Sequence, residues 1–405
     1  MKIKFQLTTL SFLQFFVWGS WLVSLGGYLI VKLHFSGVQV GAIYGTMGIA
    51  SLFMPALLGI VADRWMNAER VLGLCHIIGG GLLYVASLTT DPHQMFWIML
   101  LNSMAYMPTI ALSYSVSYSV LEKNRLDITT AFPPIRVWGT IGFILAMWWV
   151  DLMHWSLDPL QLQLAAVSGI FLGVYSFTLP QCKPSHSREN KSWVSALGLD
   201  AFVLFRERRM AIFLVFALFL GAALQITNTF GESFIHDFSG QYADSFAVLH
   251  PGLLMSLSQA SETLFILTIP FFMKKYKIKG VILMSIFAWV LRFAFFAIGN
   301  PGGGIIWLIL SMIVYGMAFD FFNVSGSMFM RSEARPEISA SAQGVFMMMT
   351  NGMGAFLGGL FSGHVVDYFT HEGIRQWPQI WFTFAAYVLV LGLIFPFAFR
   401  ERKRA

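Results

Sequence analysis

Long apolar runs, each about as long as a bilayer is thick and parted by short polar turns, make up almost the whole of this chain. A helix that crosses ~30 Å of hydrocarbon needs roughly 20 mostly apolar residues. Twelve segments meet that length within a few residues: 5–31, 38–62, 71–88, 95–121, 135–153, 160–179, 210–235, 248–273, 281–298, 305–330, 340–366 and 380–399. Strands of a membrane β-barrel would instead alternate apolar and polar residues over about 10 positions, and the sequence lacks that pattern. Composition agrees, with 11% charged residues and 57% hydrophobic ones, where an ordinary soluble domain has about 25% charged. The expected fold class is an all-α integral membrane protein with twelve transmembrane helices.

Charge placement orients the spans. Basic residues close to span ends stay on the cytoplasmic side. With the N-terminus inside, the outer loops carry only Lys32 and Arg375, and Arg136 and Arg292 sit within spans; the remaining 22 of the 26 lysines and arginines face the cytoplasm. Both termini are therefore expected in the cytoplasm. The net charge of +6 is topogenic, and no base-reading module or aromatic-rich basic groove accompanies it, so nucleic acid is not an expected partner. Lys2 and Lys4 precede the first run, which is too long for a secretory signal and has no small-residue cleavage site; it is read as a retained helix. Cys75 and Cys182 are the only cysteines. They form no disulfide framework or metal cluster, and both are read as inert thiols.

The segment 181–209 breaks the rhythm of short loops, with Lys-Pro-Ser-His-Ser-Arg-Glu-Asn-Lys-Ser (183–192) followed by a weakly amphipathic stretch ending Arg-Glu-Arg-Arg. It divides the spans six and six. The expected organisation is a six-helix bundle over 1–181, a cytoplasmic linker over 182–209 and a second six-helix bundle over 210–405. This layout resembles the major facilitator superfamily, whose site lies at the midplane between the halves. The loop after the second run, with Gly59, Asp63 and Arg64 and then Arg70, resembles that superfamily's G-x-x-x-D-[RK] signature. The resemblance implies a gating motif in which the glycine permits close helix approach. The match is partial, because Trp65-Met66-Asn67 replaces the usual Gly-Arg-Arg, and 270–279 in the second half is basic without an acid.

Three charges inside the spans demand a role, because an ionised group at the bilayer centre costs at least about 2.5 kcal/mol. They are Asp320, the single charge in 305–330, Glu262, halfway along 248–273, and Arg136, in the first turns of 135–153. Residues three, four or seven apart share a helical face. Arg136, Thr140 and Phe143 form one such set; Gln225 with Asn228, Gln259 with Glu262, and Asp320 with Asn323 form others. Gln14, Trp18, Trp21, Asn102 and Tyr106 are polar or aromatic positions on the first and fourth spans for which helix packing is the simpler reading. Arg292 reads as structural or snorkelling, His76 as a packed histidine, and Asp151, His154, Glu232 and His250 as interfacial. No histidine pair has metal-ligand spacing.

The strings Phe-Pro-Pro-Ile-Arg-Val-Trp-Gly-Thr-Ile-Gly-Phe (132–143), Leu-Gln-Ile-Thr-Asn (224–228), Ser-Gln-Ala-Ser-Glu-Thr-Leu-Phe-Ile-Leu-Thr-Ile-Pro (258–270) and Ala-Phe-Asp-Phe-Phe-Asn (318–323) resemble the bacterial nucleoside:proton symporters, a branch of the major facilitator superfamily. The likeness runs from the first span to the last. It implies a transporter of the bacterial inner membrane, not an enzyme, that takes up nucleosides with protons and works as a monomer without a cofactor or metal. It also implies that Arg136, Thr140, Phe143, Gln225, Asn228, Gln259, Glu262, Phe319 and Asp320 form the nucleoside site. The residue chemistry suits a nucleoside. An aromatic ring stacks a flat base, amides read its rim, and charged groups bind ribose hydroxyls. Asp320, Glu262 and Arg136 are the candidates for proton coupling. A proton-coupled sugar or oligosaccharide symporter of the same fold is the alternative expectation.

Overall fold

The computed structural model describes residues 2–184, 199–334 and 339–399. The centre of the expected linker and the C-terminal basic cluster lie outside the described residues.

In hydrocarbon every backbone N–H and C=O must find its partner within the chain, and a helix provides those partners locally. Helices accordingly occupy each apolar run. They are Lys2–Gly19, extended by Leu25–Gly27 and the π-helix Tyr28–Lys32; then Gly37–Arg64, Ala68–Ser87, Pro92–Lys123, Ile128–Leu152, Leu160–Ser176, Arg208–His236, Pro251–Ile298 and Ile305–Glu333. Ser339–Met347, the π-helix Met348–Gly354 and Ala355–Tyr368 follow, and Trp377–Ala398 comes last. Among the described residues nine helices are long and apolar enough to cross a membrane by length and composition. The other three expected spans are accounted for individually. The first is interrupted after Gly19, the sixth is a 17-residue helix, and Pro251–Ile298 contains two runs in one 48-residue stretch. Unbroken, that stretch would reach about 72 Å at ~1.5 Å per residue. It kinks instead at Lys277, whose φ of 57° lies in the left-handed region.

The chain divides into two compact units, one of Met1–Phe35 with Thr46–Leu197 and the other of Ser36–Gly45 with Gly198–Ala405. The first turns of Gly37–Arg64 thus group with the second unit. Asp367 supplies one reason, since its carboxylate accepts the Gly37 and Val38 N–H groups at 2.5 and 2.9 Å. Those donors have no partner inside the helix, and the positive end of the helix dipole favours an anion there.

Within the first unit, Lys2–Gly19 lies against Ile128–Leu152. A Cβ at Gly142 would run into the Phe12 backbone, and one at Gly19 into the backbone of Phe143. Small residues allow this approach, which gives membrane helices their van der Waals contact. The core of the second unit is aromatic. Trp381 stacks on Phe296 at 4.7 Å and Phe293 at 6.0 Å, with Phe234 edge-on at 5.6 Å. Asp237 ties the end of Arg208–His236 to the hairpin Thr370–His371/Ile374–Arg375. Its oxygens lie 2.9 Å from Arg375 Nη1, and one accepts the Trp377 indole N–H at 2.7 Å.

Candidate functional site

In the first unit Ile128–Leu152 carries Arg136, Thr140 and Phe143 up one face. The Arg136 guanidinium lies 4.1 Å from the centre of the Phe15 ring, and its Nε donates to the Tyr114 hydroxyl at 2.6 Å. Aromatic faces and a hydroxyl thus hold the cation. Phe143 is buried and meets Trp18 edge to face at 6.3 Å; Trp18 in turn lies 5.8 Å from Tyr106.

Behind these rings is a polar network. Gln14 Nε2 donates to Thr109 Oγ1 at 2.7 Å, Gln14 Oε1 lies 2.8 Å from His76 Nε2, and the Tyr106 hydroxyl donates to the Gln14 carbonyl at 2.6 Å. Buried polar groups are retained where their bonds are made. The packing reading of Gln14, Tyr106 and His76 therefore holds, with the addition that they brace one another. Trp18 differs, since its Nε1 is buried with no protein acceptor among the described residues.

In the loop after the second span, Gly59 has nothing within 4 Å of where a Cβ would sit, and Asp63 and Arg64 are exposed with no ion pair among the described residues. The buried acid of this region is Glu69. Its carboxylate accepts the Cys182 N–H at 2.8 Å and the Asn67 side-chain amide at 2.9 Å, pinning the chain where it leaves the sixth span. Burial raises the Cys182 thiol above its ordinary range, in keeping with an inert cysteine.

In the second unit Asp320 is 4% exposed, and Oδ2 has no hydrogen-bond donor among the described residues. Glu262, half-buried, lies within electrostatic range of it. Both acids and Arg292 also lie within electrostatic range of Tyr315. The Tyr315 ring is parallel to Phe319, with 5.7 Å between centres and 5° between planes. Gln225 is buried and donates to Thr229 at 3.2 Å, whereas Asn228 and Gln259 are half-buried. Asn323 donates to the Phe319 carbonyl at 3.0 Å, which ties it to its own helix. No group of three or more His, Cys, Asp or Glu able to hold a metal occurs among the described residues.

Phe15, Tyr114 and Tyr315 join these two sets and were not singled out in the sequence. A signal existed for the tyrosines. Tyr114 is two turns from Tyr106, and Tyr315 one turn from Phe319, each on a shared face. Of the two readings of Arg292, structural or snorkelling, the structural one agrees with its 2% exposure and its hydrogen bond to the Ser311 carbonyl at 2.8 Å. Glu232, read as interfacial from its place near the end of a span, is buried against its neighbours, with Oε1 3.3 Å from His236.

Comparison with known proteins follows the same residues. The sequence profile of the nucleoside H+ symporter family matches residues 1–404. The xanthosine permease of Escherichia coli (strain K12) is 55% identical over 403 residues, which cover 99% of this chain and 96% of that one. The nucleoside permease NupG of the same organism is 53% identical over 405 residues, covering 99% and 97%. The crystal structure of the nucleoside transporter NupG matches with a TM-score of 0.94 at 52% identity, covering 99% of this chain and 100% of that one.

Proposed function

The chain belongs to the nucleoside H+ symporter family, and on that premise we propose that it carries purine and pyrimidine nucleosides inward across the bacterial inner membrane, each with a proton, as a monomer with cytoplasmic termini. The observation that carries the reading is Asp320, an acid buried in a membrane helix beside a second acid and one residue from a stacked aromatic pair.

Phe143 or Phe319 stacks the base, and Gln225, Asn228 and Gln259 read its edge or the ribose through paired donors and acceptors. Arg136, Glu262 and Asp320 bind ribose hydroxyls through charge-assisted bonds. Thr140 adds a hydroxyl on the Arg136 face. Nucleotides are excluded, because a phosphate would meet two acids. The names of the similar permeases support a nucleoside over a sugar.

Coupling follows from the charge of the acids. With Asp320 and Glu262 both ionised, a closed and dehydrated site would hold neighbouring like charges, which is unfavourable in a low dielectric. Protonation from outside removes one of them and lets the loaded carrier close and reopen inward. The energy is sufficient. One proton driven by about 100 mV and half a pH unit yields about 3 kcal/mol, enough for roughly hundredfold accumulation of a neutral solute.

The test is uptake of labelled uridine by proteoliposomes under an imposed proton gradient. Uphill accumulation abolished by an uncoupler is expected; accumulation that survives the uncoupler contradicts symport.

A further inference from the structure

Arg292 is a buried cation whose partners among the described residues are all neutral. Among the described residues no carboxylate lies within ion-pair distance of it. Its Nη1 donates to the Ser311 carbonyl at 2.8 Å and to the Ser258 hydroxyl at 3.3 Å, while Ser311 Oγ donates to the Arg292 carbonyl at 3.0 Å. The guanidinium lies 4.4 Å from the centre of the Tyr315 ring and 5.3 Å from that of Phe296. An apolar side chain of similar volume would fill this space without the desolvation cost of a charge. The guanidinium adds direction. It attracts the face of an aromatic ring while one of its nitrogens, Nη1, bonds a carbonyl and a hydroxyl.

The residues it holds sit next to those of the nucleoside set. Ser258 precedes Gln259, one turn before Glu262. Tyr315 lies one turn before Phe319, and their rings are parallel. The two stretches also touch directly, because Gly316 N–H donates to Ser261 Oγ at 3.3 Å and a Cβ at Gly316 would strike the Ser261 backbone. One cation in the second half of Pro251–Ile298 therefore ties the first half of that stretch to Ile305–Glu333.

We propose that Arg292 is a positioning residue for nucleoside recognition. It holds Tyr315, and through the parallel stack Phe319, in the plane that receives the base. The inference rests on the reading that Phe319 meets the base, and a double-mutant cycle separates the two. Half-saturation for labelled uridine is measured in proteoliposomes for Arg292→Lys, Phe319→Leu and the double variant, with the uptake pH profile and the protein recovered recorded for each.

Lysine keeps the charge but loses the planar guanidinium that lies over Tyr315, and is expected to raise half-saturation about fivefold at an unchanged pH profile and yield. In the Phe319→Leu background the same change is expected to add less than about twofold, because the ring being positioned is gone. Equal effects in both backgrounds, or unchanged half-saturation in Arg292→Lys alone, overturn the positioning role. Unchanged half-saturation in Phe319→Leu alone overturns the placement of Phe319 at the base. Arg292→Gln, which keeps a donor for the Ser311 carbonyl without the charge over Tyr315, carries the cycle if the lysine variant is not recovered.

Discussion

Asp320 combines burial, a nearby carboxylate and an oxygen with no donor among the described residues. Asp320→Asn, which fixes the neutral shape, is expected to abolish uphill uptake while leaving exchange of labelled for unlabelled uridine; loss of both activities would make Asp320 a ribose ligand first. Glu262→Gln is expected to weaken binding and retain accumulation. Phe143→Ala removes a stacking face and is expected to raise half-saturation for uridine about tenfold, since stacking a base on an aromatic ring is worth ~1–3 kcal/mol. The acids and Arg136 were legible because a charge in an apolar run is conspicuous. Phe15 was not, since aromatic residues are ordinary in spans and only tertiary packing shows which of them meets Arg136. Arg292 was conspicuous but left between a structural and a snorkelling reading, because sequence shows where a charge lies along a helix and not what packs around it.

Helices differ from the apolar runs mainly at their ends. Ile128–Leu152 begins seven residues before the expected 135 and continues through Pro133 and Pro134, although each removes a backbone donor. The runs 248–273 and 281–298 join in one stretch broken at Lys277. Local sequence predicts neither, since proline and clustered lysines usually mark boundaries. The start of Gly37–Arg64 is capped locally, where Ser36 Oγ accepts the Gln39 N–H at 3.2 Å and Gln39 Oε1 accepts the Ser36 N–H at 2.9 Å, and also by Asp367, more than three hundred residues away, which no local motif could reveal. Asp367→Ala is expected to lower stability by ~1 kcal/mol, within the range of helix-cap losses, read as a lower melting temperature of the purified protein. An unchanged melting temperature would mean that the cap adds no net stability. Gly316→Val is expected to fail to accumulate, because the added atoms meet Ser261 backbone rather than a yielding side chain; normal yield would show that the two stretches can part.

At the scale of the molecule, run length carried most of the fold, because hydrocarbon leaves a spanning chain few choices. The family could be read from four short strings that also hold the candidate site, and the profile match over residues 1–404 bears it out. The association of residues 36–45 with the second unit could not be read, since it depends on contacts distant in sequence. The central claim is that nucleoside and proton move together through a site containing Asp320. Its most direct test is external pH in a lightly buffered suspension of proteoliposomes when uridine is added. The account predicts alkalinisation with the native protein and none with Asp320→Asn. Uridine entry without alkalinisation, or equal alkalinisation with Asp320→Asn, would contradict it.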